Sequence, residues 1–231
     1  RSFEQVHQWQ EIVISLLKKY CDRYYKYHKA EFENEHLEYR DLTPDDPNFI
    51  YEYHILVEKS QQDIIAKLQE IKQVVESGEL RNVEYQQMQS LMFSQHLYQP
   101  LLYLGNNMVE IKPVVLNQGE REFVLDLRSF YEGNKSFFHD KELYLLRNMS
   151  RGSGIGFFEA GNFYPDFILW LVIGKQQKIV FIDPKGIRNL EGMEDPKIKF
   201  HQTIKQLETL LNDPSINLNS FIISNTPYSS V

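Results

Sequence analysis

A chain of 231 residues, 42% hydrophobic, 25% charged and 13% aromatic, can build one large domain or two smaller ones, and wholesale disorder is excluded. A net charge of −7 excludes a protein that coats nucleic acid indiscriminately, so any such contact must run through a local patch. The single cysteine, Cys21, excludes a disulfide framework and a cysteine-based zinc site.

The longest apolar run, Phe167 to Ile173, is far short of the roughly 20 residues that span a bilayer, and no signal peptide is visible. A cytoplasmic protein is therefore expected. The start at Arg1 reads as a piece of a longer chain.

In chain order, residues 3–37 read as a polar, aromatic-rich helix. Thr43-Pro44 has the form of an N-cap followed by proline at the first helical position. Ile64, Ile65, Leu68, Ile71, Val74 and Val75 recur at helical spacing, and Ser77-Gly78 ends that helix. A further helix is expected over about 83–98, carrying Met88, Leu91, Met92 and Leu97 and limited by Pro100. These helices hold no chemical motif, and their expected work is packing and partner contact.

The texture changes after residue 105. Met108 to Val115 reads as extended, Asn117-Gln118-Gly119 as a turn. The following helix sets Phe123, Val124, Leu127, Phe130 and Tyr131 on one face and stops at Gly133. Glu142 to Arg147 is a short strand, and a glycine-rich connection, Gly152 to Gly156, leads on. The unbroken run Phe167 to Ile173 signals a strand buried on both faces. After a turn at Gly174-Lys175-Gln176-Gln177, Lys178 to Ile182 completes a hairpin. Residues 197–211 form a helix with Phe200, Ile204, Leu207 and Leu211 inward, and Phe221 to Ile223 a last strand. The expected organisation is a mostly helical accessory domain over 1–104 and an α/β domain over 105–231. From 119 its order is helix, strand, strand, strand, helix, strand.

The chemistry concentrates at one end of the hairpin. Asp166 enters its first strand, and Asp183 and Lys185 leave its second. Antiparallel neighbours bring the start of one strand beside the end of the other. Lys185, two residues after Asp183, points to the same face if the chain stays extended. Two carboxylates and a lysine thus converge. Carboxylates can hold Mg²⁺, a hard ion that takes oxygen ligands and keeps waters. Such an ion polarises a phosphodiester and activates water, and the lysine can orient that water or stabilise charge on the phosphorane. Asp-Pro pairs are also ordinary at strand ends, where proline lacks a donor and aspartate accepts local hydrogen bonds.

The pattern Pro165-Asp166, then Asp183-x-Lys185, on a hairpin in this element order resembles the PD-(D/E)xK nuclease superfamily, with its restriction-endonuclease-like fold. The longer strings, Phe163 to Trp170 and Ile179 to Gly186, look like the C-terminal nuclease region of DEAD/DEAH-helicase-type restriction subunits, relatives of type III restriction enzymes. The resemblance implies a mixed sheet flanked by helices and a Mg²⁺-dependent endonuclease acting on DNA, with Mn²⁺ as a substitute metal. It implies a helicase motor elsewhere in the same polypeptide, a modification subunit as a further partner, and a role in restriction or phage defence. Asp166 and Asp183 would ligate metal and Lys185 would serve the water. Glu120, from the first helix of the core, would assist as a third metal ligand, with Glu122 second in line. Glu159 could border the site, and Lys197 or His201 could add a polar group. Arg151, Arg188, Lys197, Lys199 and Lys205 form a candidate phosphate-contacting patch.

Other chemistries find no support. Gly152-x-Gly154-x-Gly156 lacks the Gly-Lys-[Ser/Thr] ending of a phosphate loop. The histidines are scattered, Cys21 has no neighbouring base, and no Gly-x-Ser-x-Gly occurs. The competing expectation is a catalytically silent DNA-binding or subunit-docking module with the same fold.

Overall fold

The computed structural model describes residues 3–33, 53–79, 82–93, 101–104, 109–112, 115–149, 155–157, 163–184 and 195–224. It is a mixed α/β structure of four helices and three small sheets among these residues.

Helix α1 (Phe3–Glu33) comes first, as its unbroken helical composition suggests. Its apolar side chains are solvated: Trp9, Leu16, Leu17 and Tyr20 are all exposed. Strand β1 (His54–Leu56) pairs antiparallel with β5 (Glu110–Lys112). Helix α2 (Gln62–Ser77) buries Ile64, Ile71 and Val74, the stripe its spacing predicts.

The segment expected as a helix over 83–98 is instead a hairpin as far as it is described. Strands β2 (Val83–Tyr85) and β3 (Met88–Leu91) pair antiparallel, and β3 pairs in turn with β4 (Leu101–Leu104). The spacing of Met88, Leu91 and Met92 mimics a helix. However, Ser90 is also buried, and its hydroxyl accepts from the Val83 amide at 3.1 Å. Pairing on both edges of β3 outweighs local periodicity. Among the described residues, the first part of the chain therefore carries four strands beside its two helices. The expected cap at Thr43-Pro44 and the residue Leu97 lie outside the described residues.

The second part follows the expected order: α3 (Gln118–Gly133), β6 (Glu142–Arg147), β7 (Phe167–Ile173), β8 (Gln176–Pro184), α4 (Pro196–Leu211) and β9 (Ile216–Ile223). The four strands form one sheet in the order β6-β7-β8-β9. Its first three strands are antiparallel, whereas β9 joins β8 in parallel after the α4 crossover. The hairpin β7–β8 turns at Gly174-Lys175, where Gly174 takes a φ of +60°, a conformation glycine adopts without strain.

The core of this sheet combines Leu145, Leu146, Phe167, Ile168 and Ile182 with Val124 of α3 and Phe200 and Ile204 of α4. Leu91 and Leu101 belong to the same cluster, so its packing continues into the β3–β4 pair. Burial of the hairpin is uneven. Phe167, Ile168, Phe181 and Ile182 are buried, but Leu169 to Ile173 are only half-buried and Gln176 to Lys178 are exposed. The expectation of cover on both faces holds at the Asp166/Asp183 end, where α3 and α4 supply side chains, and fails toward the turn.

Candidate active site

The register Phe167↔Ile182 sets Asp166, one residue before β7, beside Asp183 near the end of β8. Asp183 is 1% exposed, paired across the parallel ladder with Ile222. The Asp166 and Asp183 carboxyls come within hydrogen-bonding reach of each other. Asp166 Oδ2 is buried and accepts from no N–H or hydroxyl group among the described residues. Two facing carboxyls in that position repel when both are charged, which favours a shared proton or a cation.

Asn148 fixes the backbone that presents Asp166. It is fully buried, and its amide nitrogen donates to the Pro165 and Ile155 carbonyls at 2.8 Å each. Its Oδ1 accepts from the Ile155 amide, and its own backbone N–H donates to the Asp166 carbonyl at 2.9 Å. Beside this clamp, Phe157 and Phe163 pair through two backbone hydrogen bonds. Gly156 lets the Tyr164 ring close in: a Cβ there would lie 2.5 Å from a ring carbon. This contact gives Gly156 a packing role.

Glu120 is 3% exposed, and both its oxygens are engaged. Oε2 accepts from the Asn117 amide at 2.9 Å while the Asn117 side chain accepts from the Glu120 amide, a capping box that starts α3. Oε1 takes a charged hydrogen bond from Arg147 Nη2 at 2.8 Å. Arg147 also donates through Nη1 to the carbonyls of Asn148 (2.6 Å) and Asp166 (3.0 Å), and its guanidinium lies 5.4 Å from the centre of the Phe167 ring. The expected role of Glu120 as a third metal ligand is not what this arrangement presents. Glu120 is a capping and ion-paired residue, and among the described residues no three acidic, histidine or cysteine side chains are grouped to hold a metal.

Lys197 approaches the pair from α4. Asp195 caps that helix by accepting from the Lys197 amide at 2.8 Å, and Pro196 follows at its first position. The Lys197 ammonium then reaches Asp183 Oδ2 at 3.4 Å and sits 5.5 Å from the centre of the Phe163 ring.

Burial pushes the Asp166 carboxyl up to about 7, helped by the hydrogen bond to Asp183 and by the charges of Asp183 and Glu120, and opposed by Arg147. The folded carboxyl thus binds its proton more tightly than an unfolded aspartate with the ordinary value of 3.8. Its contribution to stability is present below about pH 4 and is lost as pH rises to about 7. In EDTA, the melting temperature is expected to fall by on the order of 5 °C between pH 5 and pH 8. The Asp166→Asn protein should lack most of that slope. Calorimetric or circular-dichroism melts at stepped pH check it, and an equal slope in both proteins would assign the dependence to other groups.

Of the remaining expected residues, Lys185, Glu159, Arg151 and Arg188 lie outside the described residues. Glu122 lines a different concavity of about 350 Å³ with Phe123, Phe130 and Ile223, whose described lining includes neither aspartate. His201 is exposed, its ring nitrogen 2.6 Å from the Ile198 carbonyl, and Lys205 pairs with Glu208 at 2.8 Å. Three residues escaped the sequence reading: Arg147, Asn148 and Tyr53, whose phenol burial holds above its ordinary range against the pull of Arg147. The available signal for the first two was an Arg-Asn pair closing an apolar strand, where a cation would be expected in water. Neither a family model, nor a curated protein, nor a solved structure matches the chain.

Proposed function

We propose that the α3–β9 region is a metal-dependent endonuclease that hydrolyses DNA phosphodiester bonds, with a restriction-endonuclease-like core. The observation that carries this reading is the facing pair Asp166 and Asp183 at the end of a buried hairpin, in helix-strand-strand-strand-helix-strand order. Two carboxylates crowded together where burial opposes their charge are a hard-oxygen site that favours a divalent cation. Mg²⁺ held by Asp166 and Asp183, or Mn²⁺ in its place, would supply Lewis-acid activation of the phosphate and of a water. The chain's own residues do the rest. Asn148 holds the Asp166 backbone, Arg147 and Glu120 fix the wall behind it, and Lys197 balances Asp183 from α4. Lys185, which follows β8, is assigned to orienting the water or to steadying charge on the phosphorane. The proposed setting is a restriction or phage-defence protein with a helicase motor in the same polypeptide and a modification subunit as partner.

A second reading, a silent DNA-binding or docking module, is favoured by one observation. The acidic cluster already has internal counter-charges, since Arg147 engages Glu120 and Lys197 engages Asp183. Plasmid nicking separates the two. The protein at high concentration and low salt, with Mg²⁺ or Mn²⁺, should nick supercoiled DNA. Asp183→Ala should lose cleavage and calorimetric metal binding together, whereas Lys185→Ala should lose cleavage and keep the metal. Equal nicking by wild type and Lys185→Ala would defeat the proposed role of the lysine. No nicking under either metal, with DNA still bound, would install the silent module.

A further inference from the structure

We propose that the open concavity between the β2–β3 turn, β4 and the first turn of α3 is a second nucleic-acid contact, holding one backbone phosphate and the base beside it. It has a volume of about 450 Å³ and is lined by Gln86, Gln87, Gln89, Tyr103 and Arg121. That is the size range of small-ligand sites, and its described lining contains no carboxylate.

Arg121 is the reason to expect an anion there. Its guanidinium is held over the Tyr103 ring, 5.2 Å from the centre, and its Nε donates to Gln89 Oε1. Gln89 in turn donates to Glu84 at 2.7 Å, so a neutral amide stands between the guanidinium and the nearest linked acid. Arg121 forms no salt bridge with a carboxylate among the described residues, whereas Arg128 and Arg147 both do. The ring and Nε fix the plane of the group, and four N–H donors on the terminal nitrogens remain for a ligand. In a chain of net charge −7, a half-buried cation fixed without a carboxylate is a local anion site.

The amides supply the second half of the chemistry. Gln86 and Gln87 are exposed at the tip of the turn, where amide groups can pair with base edges in the way glutamine pairs with adenine. Tyr103 offers a ring face of the kind on which bases stack. Position favours the same ligand. Arg121 follows Glu120 on the first turn of α3, and Glu120 faces Arg147 while Arg121 faces Tyr103. A nucleic-acid strand crossing that turn would meet this concavity on one side and the acidic cluster on the other. The inference rests on the nuclease reading for its substrate, but its test does not depend on cleavage.

The test is fluorescence anisotropy of a labelled 20-nucleotide strand and its duplex in EDTA, from about 50 to 200 mM salt, where phosphate contacts weaken progressively. Arg121→Ala should weaken binding about tenfold and reduce the salt slope by close to one phosphate contact. Gln87→Glu, on an exposed side chain where misfolding is no concern, places a negative charge at the rim and should weaken binding in the same direction. With Mg²⁺ at saturating DNA, Arg121→Ala should keep the wild-type cleavage rate while its KM rises. If neither variant changes affinity or slope while wild type cleaves, the second contact is overturned and the nuclease stands. If wild type never cleaves but both variants lose DNA affinity, the nuclease fails and the contact stands. Loss of inorganic phosphate or mononucleotide binding in Arg121→Ala, with DNA affinity intact, would overturn the proposal in favour of a small phosphorylated ligand.

Discussion

Asp183→Asn is expected to reduce DNA cleavage by at least 10²- to 10³-fold, the range seen when one group that stabilises a transition state is removed, and to melt no lower than wild type at pH 8 in EDTA. The two halves come from one cause. Asp183 is buried beside Asp166, and its charge is part of what keeps the Asp166 proton on to about pH 7. Above that pH Asp166 ionises against the repulsion of Asp183. The amide removes one charge with almost no change in shape, so Asp166 ionises more readily and the repulsion is relieved. Against this stands the loss of the 3.4 Å contact with Lys197, which is one-third exposed and gives up little by returning to water. A fall of several degrees in the Asp183→Asn melt at pH 8 would show that Asp183 chiefly holds α4 against the sheet, and the functional reading would lose its main support. Trading stability for function in this way is common at working sites.

Arg147→Ala carries the largest expected stability cost, about 3–5 kcal/mol in urea unfolding, the range for breaking a buried ion pair from one side. Arg147 is 8% exposed and Glu120 is 3% exposed, so removal of the guanidinium strands a carboxylate away from water. The same change withdraws Nη1 from the Asn148 and Asp166 carbonyls, loosening the backbone that presents Asp166. Arg147→Lys should recover little, because one ammonium cannot reach three acceptors in a planar fork. Converting both partners, Arg147→Met with Glu120→Gln, should recover a large part of the loss while keeping the capping geometry at Asn117. If the double change costs as much as Arg147→Ala alone, the stacking of Arg147 on Phe167 is the dominant contribution and the ion pair is secondary.

The hairpin and its aspartates were legible because their signals are local. An unbroken apolar run, a glycine at a two-residue turn and a second apolar run leave few alternatives, and strand pairing then carries Asp166 to Asp183. The same holds for the inner face of α4, where Phe200 and Ile204 are buried as expected, whereas Leu211, at the end of the helix, is exposed. What stayed hidden depends on partners far away in sequence. Glu120 reads as a first-turn acid on α3 until Arg147, 27 positions later, is brought to it by the sheet. Arg147 itself reads as a solvated strand end. Met88, Leu91 and Met92 misled because a three- and four-residue spacing fits a helix, and only pairing with β2 and β4 reveals the strand.

The parallel pairing of β8 with β9 bears on how the sheet is assembled. β7 and β8 meet across a two-residue turn, so they can zip from contacts close in sequence. β9 reaches its place only after α4 has crossed over, and the chain from Pro184 to Ile216 must close as a loop before any of that ladder forms. Loop closure costs conformational entropy before the non-local contacts repay it, which makes such steps slow. In the interval, β8 presents an open row of amides and carbonyls along Phe181, Ile182 and Asp183, an invitation to pair with the same strand of another chain. Refolding at high concentration should therefore lose material to aggregation at this step, and a chain ending before β9 would carry that open edge permanently.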